Sequence, residues 1–166
     1  MKAEKIYLVG FMAAGKTSVA KALGRRLGWD VLDVDESIEQ RERMPVADIF
    51  AKRGEAYFRS VERAVIADQL GRRHVVVATG GGTFADAQSR AAINQDGVSV
   101  WLDVPLERLV DRVPADGRRP LAADRATFER LYHVRRAAYE QAHHRLDAGR
   151  AGVDALVEQL VDWLRP

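Results

Sequence analysis

The chain contains no cysteine among its 166 residues. This excludes disulfide bonds, thiolate nucleophiles and thiolate metal sites, so any metal ion must be held by oxygen or imidazole ligands. No apolar run approaches the roughly 20 residues of a membrane-spanning helix, and the apolar run near the N-terminus is too brief for a secretion signal. We therefore expect a cytoplasmic protein that has no membrane partner.

Aromatic residues are also scarce, and neither sign of charge is in marked excess. Aromatics make up 7% of the chain and the formal net charge is only +2. The arginines are scattered rather than gathered in a basic run, which argues against a nucleic-acid partner. A hydrophobic share of 47% beside 30% charged residues is typical of a folded domain with a real core. We expect a single domain over residues 1–166, acting as a monomer.

A glycine-rich loop is the strongest signal that is present. Residues 10–17 read G-F-M-A-A-G-K-T, follow the apolar residues 6–9 directly, and fit the phosphate-loop pattern G-x-x-x-x-G-K-[ST]. The glycines let backbone N–H groups curl around phosphate oxygens, and the next helix offers its positive N-terminal end. Lys16 is predicted to reach the β- and γ-phosphates, and the Thr17 hydroxyl to ligate Mg²⁺. The alternative, a glycine-rich turn before an ordinary helix, is disfavoured because strand, loop and helix come in the expected order.

Short apolar runs alternate with longer helical periodicity along the whole chain. Strands are predicted at about 5–9, 30–34, 74–78, 98–102 and 143–147, and helices at 16–27, 55–70, 86–94, 105–111, 125–141 and 152–164. This rhythm predicts a three-layer α/β/α fold, with a central parallel sheet of about five strands and helices on both faces. The polar, turn-forming stretch 113–120 lacks periodicity and predicts a mobile lid over about 112–123.

Two carboxylates follow the second predicted strand. Asp33-Val34-Asp35 closes that strand, so alternation is expected to place both acids on one side of the sheet. Ligands collect at the carboxyl ends of parallel strands. Asp33 is predicted to hold Mg²⁺ directly or through water, and Asp35 to accept a hydrogen bond from a substrate hydroxyl. A solvated strand end or a helix cap is the alternative reading.

Two further motifs indicate an anionic substrate. Arg59 and Glu62 share one helix face, where the arginine fork suits a carboxylate and Glu62 can orient it; by spacing alone, a surface ion pair is the more common arrangement. Gly80, Gly81 and Gly82 follow the third strand and expose backbone where a ligand can approach closely. A flexible turn competes with this reading, but the position beside the phosphate loop favours a substrate wall.

Two arginines lie nearer the C-terminus. Arg119 falls in the predicted lid, whose closure would carry its charge to the transferring phosphoryl group. Arg135 lies on a helix with the apolar stripe Phe128, Leu131, Tyr132 and Tyr139, and is expected to project away from the core. The four histidines show no metal or triad spacing.

Taken in order, these motifs resemble the shikimate kinase family, a P-loop kinase family, over nearly the whole chain. The shared series is G-x4-G-K-T at 10–17, D-x-D at 33–35, G-E-x-x-F-R-x-x-E at 54–62, G-G-G at 80–82, R-P-L at 119–121 and R-x-x-x-Y at 135–139. The resemblance implies ATP-dependent phosphorylation of the 3-hydroxyl of shikimate, giving shikimate 3-phosphate and ADP in aromatic amino-acid biosynthesis.

The resemblance also implies a role for each matching residue. The shikimate site, within a substrate-binding segment of about 34–62 and beyond, comprises Asp35, Arg59, Gly80, Gly81, Gly82 and Arg135. The ATP site comprises Gly10, Ala13, Ala14, Gly15, Lys16, Thr17, Ser18, Arg112, Arg119 and Arg150, with Arg112 packed against adenine. The resemblance assigns Mg²⁺ binding to Thr17 and Asp33. It assigns catalysis to Lys16, Asp35 and Arg119.

The chain departs from the family pattern at the phosphate loop and near Arg150. Ala13 stands where the family usually has glycine, in a backbone conformation that a methyl group is expected to permit, and no proline follows Arg150. Two alternatives stay open: another P-loop small-molecule kinase, acting on gluconate or a nucleoside monophosphate, and a nucleotide switch or nucleic-acid-dependent ATPase. The former has no need of two arginines aimed at a cyclic carboxylate.

Overall fold

The computed structural model describes residues 1–112 and 124–166. The strands are β1 (Lys5–Val9), β2 (Asp30–Asp33), β3 (Val75–Ala78), β4 (Val98–Asp103) and β5 (His144–Asp147). The helices are α1 (Lys16–Leu27), α2 (Val34–Glu42), α3 (Val46–Gln69), α4 (Ala87–Asp96), α5 (Leu106–Arg112), α6 (Arg125–Tyr139) and α7 (Val153–Leu164), with a 3₁₀ turn at Thr83–Ala85. Most of the predicted lid, including Arg119, lies outside the described residues. Within the described part of the chain, no helix combines the length and the apolar character needed to cross a membrane.

The strands form one five-stranded parallel sheet in the order β2-β3-β1-β4-β5. The central strands β1 and β3 are buried along their whole length, as expected of parallel strands covered by helices on both faces. The predicted α/β architecture is confirmed. Because β1 lies between β3 and β4, the loop after β1 sits beside the glycines that follow β3, at the carboxyl edge of the sheet.

The strand prediction fails at Asp35. Strand β2 ends at Asp33, and Val34 already begins α2. The Asp33 side chain accepts a hydrogen bond from the backbone N–H of Glu36 at 3.0 Å, which caps the new helix. Asp35 therefore lies in the first turn of a helix, and the argument from strand alternation was wrong.

Helix α3 is longer than predicted. It begins at Val46 rather than near residue 55, and it is interrupted at Gly54, whose φ of 83° is not helical. Only glycine takes this left-handed conformation at little cost. The predicted helix thus corresponds to the second half of α3, and Gly54 marks a kink within the helix rather than its start.

A buried polar network stands near the N-terminal end of β1. Lys5 is 1% exposed; its ammonium pairs with the Asp96 carboxylate at 2.5 Å and donates to the carbonyl of Gln69. Asp96 also accepts from the Tyr7 hydroxyl at 2.6 Å and from the Gly71 N–H at 2.9 Å. The network joins β1 to the ends of α3 and α4, on the side of the sheet away from the phosphate loop.

This network makes stability depend on pH. Burial raises the pKa of Asp96, but the hydrogen bonds from Lys5 and Tyr7 outweigh it and hold the pKa at about 2. The unfolded-state pKa of aspartate is about 3.9. Because the folded-state value is the lower one, the stabilisation is complete above about pH 4 and is lost as the pH falls towards 2. The free energy of unfolding, measured by urea titration, should drop over this window.

The Asp96→Asn protein should unfold more easily than the wild type at pH 7. Its free energy of unfolding should also fall less between pH 4 and pH 2. Part of the remaining drop belongs to Asp86, whose pKa a hydrogen bond from Arg63 also holds at about 2, and part to Asp124, whose pKa is lowered by hydrogen bonds from Thr127. Asp162→Asn, which changes a carboxylate with 66% of its surface exposed, is the matched control. An Asp96→Asn protein with the full wild-type acid dependence would contradict the assignment.

Candidate active site

The loop between β1 and α1 has the backbone of a phosphate cradle. Gly10 has a φ of 149° and Gly15 a φ of 98°, and a Cβ on Gly10 would lie 2.9 Å from the carbonyl oxygen of Leu102. Ala13 has a φ of 65°, a left-handed conformation that costs a residue with a Cβ roughly 1–2 kcal/mol. Alanine does adopt this conformation, as expected, but it carries strain that glycine would not carry.

Lys16 and Thr17 begin α1 directly beneath this loop. The Lys16 side chain is buried, and its ammonium donates to the carbonyls of Gly10 at 2.6 Å and Phe11 at 2.7 Å. The Thr17 hydroxyl donates to Oδ2 of Asp33 at 2.7 Å. Ala14 is buried in the loop, while Ser18 is exposed in the first turn of α1.

The Thr17 and Asp33 pair fits a magnesium ion. Its two oxygen ligands adjoin each other at the positive end of a helix, and Mg²⁺ is usually held by one or two protein oxygens, with water and phosphate completing the octahedron. Among residues 1–112 and 124–166, no group of three or more His, Asp or Glu side chains could hold a metal ion. The residues present therefore suit a metal ion that binds together with a nucleotide, rather than one that protein side chains alone surround.

A pocket opens beside the phosphate loop. Its empty volume is about 410 Å³, including space open to solvent, and it is lined by Met12, Asp35, Val46, Phe50, Phe58, Arg59, Glu62, Gly81, Gly82 and Arg135. The sequence-predicted residues Asp35, Arg59, Gly81, Gly82 and Arg135 are thus brought together. They come from α2, α3, the loop after β3 and α6, and Met12 joins them from the phosphate loop itself.

Arg59 and Glu62 form a buried pair. Glu62 has no solvent exposure, and its two carboxylate oxygens lie 3.0 and 3.3 Å from Nη1 of Arg59. Arg59 is 15% exposed and also reaches Glu55 at 3.5 Å. The alternative of a surface ion pair is wrong, because a carboxylate buried this deeply requires a charged partner of fixed geometry.

The sequence suggested that Arg135 projects away from the core, and this expectation was wrong. Arg135 is 6% exposed, and its Nη1 donates to the carbonyl of Gly81 at 3.3 Å, the same oxygen to which the Tyr139 hydroxyl donates at 2.5 Å. Burial lowers the pKa of Arg135, and the nearby positive charge of Arg59 lowers it as well. Two guanidinium groups that line one pocket favour the binding of an anion there.

The three glycines after β3 are closely packed against other residues of the protein. A Cβ on Gly80 would lie 2.7 Å from Oδ1 of Asp35, one on Gly81 would lie 3.3 Å from Met12, and one on Gly82 would lie 2.8 Å from Cζ of Arg59. The predicted substrate wall is therefore also the surface against which the polar pocket residues pack. A freely flexible turn does not describe it.

Three predicted arginines remain: Arg112, Arg119 and Arg150. Arg112, at the end of α5, is exposed and donates to the carbonyl of Ala13 at 3.4 Å, and Arg150 is exposed after β5. Arg119 falls outside the described residues.

Sequence reasoning missed Phe11, which packs edge-on against Phe128 at 5.0 Å and Tyr132 at 5.6 Å. It also missed the hydroxyl of Thr83. An aromatic residue inside a phosphate loop and a threonine directly after three glycines were the available signals.

The parallel sheet, the G-x4-G-K-T loop after its central strand and the polar pocket beside that loop define a P-loop kinase. The family model for shikimate kinase matches residues 12–165. A shikimate kinase from Persephonella marina is 37% identical over 161 residues, which cover 96% of this chain and 98% of the relative. The chain belongs to the shikimate kinase family.

Solved structures agree with this assignment. Shikimate kinase from Acinetobacter baumannii in complex with shikimate superposes with a TM-score of 0.91 at 33% identity, covering 97% of this chain and 92% of that one. Shikimate kinase from Aquifex aeolicus gives a TM-score of 0.87 at 33% identity, covering 96% and 95% of the two chains. The fold is thus that of a phosphotransferase family over the full length.

Gly82→Ala should disturb Arg59 without touching the phosphate loop. The added Cβ would occupy space that the guanidinium fills, so Arg59 must leave its position beside Glu62. We expect the KM for shikimate to rise about tenfold, equivalent to about 1.4 kcal/mol, with the KM for ATP unchanged. In an Arg59→Ala background, where the clash is absent, Gly82→Ala should add less than about twofold. Equal effects in both backgrounds would contradict the steric explanation.

Proposed function

We propose that this protein transfers the γ-phosphoryl group of ATP to the 3-hydroxyl of shikimate, giving shikimate 3-phosphate and ADP in aromatic amino-acid biosynthesis. Family membership supports the activity. The observation that carries the site assignment is the buried Arg135 facing the Arg59–Glu62 pair in a pocket beside the phosphate loop. The family membership, rather than the arginine pair, disfavours gluconate and nucleoside monophosphates as substrates, since gluconate also carries a carboxylate.

The carboxylate of shikimate is proposed to bind between Arg59 and Arg135. Each guanidinium can offer a carboxylate two parallel hydrogen bonds. Glu62 occupies one side of Arg59, so the fork is held in place before the substrate arrives. Pre-organisation of this kind reduces the ordering cost of binding.

The ring hydroxyls are proposed to face Asp35 and the glycine loop. Asp35 stands on the first turn of α2 and packs against Gly80, so its carboxylate has a fixed position in the pocket. It can accept a hydrogen bond from the attacking hydroxyl and take its proton as the reaction proceeds. Phosphoryl transfer passes through a loose transition state, so aligning this hydroxyl matters more than activating it.

The triphosphate of ATP is proposed to bind over residues Gly10, Ala13, Ala14, Gly15, Lys16, Thr17 and Ser18. Lys16 would exchange its hydrogen bonds to the Gly10 and Phe11 carbonyls for phosphate oxygens, which moves a buried charge by only a short distance. Thr17 and Asp33 would hold Mg²⁺, which neutralises phosphate charge when bound. We assign the adenine side to Arg112 and Arg150.

The segment at about 112–123 is proposed to close over the reacting groups as a lid. Arg119 would then neutralise charge on the transferring phosphoryl group, and closure would exclude the water that otherwise hydrolyses ATP. We further propose that the single domain over residues 1–166 acts as a cytoplasmic monomer, without nucleic acid.

The substrate is tested by measuring ADP release with Mg²⁺ and ATP in the presence of shikimate, gluconate or a nucleoside monophosphate. Only shikimate should stimulate turnover, because only it brings a ring carboxylate to the two arginines. Polynucleotide should have no effect. Turnover that is indifferent to shikimate, or stimulated by another acceptor, would overturn the proposal.

Arg59 should act mainly in shikimate binding, and Arg119 mainly in the chemical step. Arg59→Ala should raise the KM for shikimate at least tenfold, the loss expected when one charged hydrogen-bonding partner of a carboxylate is removed, with a smaller change in kcat. Arg119→Ala should instead lower kcat, by roughly a hundredfold or more, with little change in shikimate affinity. Steady-state kinetics with the reverse pattern would refute these roles. Arg53→Ala, on the exposed side of α3, is the arginine control.

A further inference from the structure

Thr83 lies behind the pocket wall, with no solvent exposure. It begins the 3₁₀ turn that follows the three glycines. Its hydroxyl accepts a hydrogen bond from the backbone N–H of Gly80 at 2.8 Å and donates one to Oε2 of Glu62 at 2.8 Å. One small polar group therefore joins the glycine loop to α3.

The bond to Glu62 extends to Arg59. The Glu62 carboxylate is fully buried, and it receives hydrogen bonds from Thr83 on one oxygen and from Arg59 Nη1 on both. A buried carboxylate keeps its charge only when such partners surround it. Removing the threonine hydroxyl leaves Oε2 with fewer partners, so the carboxylate can rotate and take the guanidinium with it.

The bond to Gly80 fixes the other side of the pocket. A Cβ on Gly80 would lie 2.7 Å from Oδ1 of Asp35 and 3.1 Å from the Thr83 hydroxyl. The backbone at Gly80 thus sits in close contact with both residues. A Gly80 N–H without its acceptor would be a buried, unsatisfied donor, which the loop can relieve only by moving.

We propose that Thr83 is a positioning residue for substrate carboxylate recognition. Its hydroxyl holds the Glu62–Arg59 pair against the glycine loop, so it sets the affinity for shikimate without contacting the substrate. The inference rests on the proposed role of Arg59 in binding the carboxylate. It extends that role to a residue behind the pocket that sequence reasoning did not single out.

The test compares Thr83→Val, which keeps the shape but removes the hydroxyl, with Thr83→Ser, which keeps the hydroxyl. Thr83→Val should raise the KM for shikimate about tenfold and leave the KM for ATP within about twofold, while Thr83→Ser should return the shikimate KM to within about twofold of wild type. Calorimetric titration with shikimate should show the same ratios. A lower melting temperature with both KM values unchanged would mean a purely structural role and would overturn the proposal.

Thr83→Ala provides a second variant in case the Thr83→Val protein fails to fold. It adds no bulk and should show the same rise in the KM for shikimate. In an Arg59→Ala background, Thr83→Val should raise the shikimate KM by less than about twofold, because the residue through which it acts is gone. Additive effects would show that Thr83 does not act through Arg59.

The two proposals fail in different ways. If Arg59→Ala leaves the shikimate KM unchanged, the proposed binding role of Arg59 fails whatever the Thr83 variants do. If Arg59→Ala raises it and neither Thr83→Val nor Thr83→Ala does, only the inference on Thr83 is lost.

Discussion

The pocket depends on one buried charge, the carboxylate of Glu62. A carboxylate with no solvent exposure must be matched by a cation and by hydrogen-bond donors, or the cost of removing it from water would destabilise the fold. Arg59 is that cation, and its position is thereby fixed before any ligand binds. Because Glu62 takes up the Nη1 side of the guanidinium, the protein presents a charged fork of defined direction to the pocket. The orientation of Arg59 in the pocket thus follows from the need to balance the buried charge of Glu62 in the folded protein.

The sheet topology explains why this pair works beside a nucleotide loop. The order β2-β3-β1-β4-β5 places the phosphate loop, Asp33 and the glycines after β3 at neighbouring strand ends. These elements were predictable from the sequence, because phosphate loops need glycine at fixed spacing and parallel strands read as short apolar runs. The strand boundaries agree with the prediction to within one residue. Local chemistry determines these features, so one sequence suffices to find them.

Other parts of the site follow from tertiary packing and were read incorrectly. Arg135 falls in the stripe of Phe128, Tyr132 and Tyr139 at helical spacing, so the pattern itself places it on the buried face of α6. The apolar stripe was instead read as leaving the arginine free to project outward, and its contact with the carbonyl of Gly81 beside the pocket explains why it is buried. Asp35 was placed in a strand because the alternative reading of this motif, a helix cap, was not preferred; the structure shows that Asp33 is that cap.

The contacts of Phe11 join the phosphate loop to the side of the pocket where Arg135 lies. Its ring packs edge-on against Phe128 and Tyr132 of α6, and the guanidinium of Arg135 lies 5.7 Å from the ring centroid. The carbonyl of the same residue accepts a hydrogen bond from Lys16, which a bound triphosphate is proposed to replace. A change in the loop backbone at Phe11 therefore alters the surface against which Arg135 is held. Since close-packed interiors transmit small displacements rather than absorb them, we expect a displacement of the phosphate loop to reach the pocket through Phe11 and through Met12, which packs against Gly81.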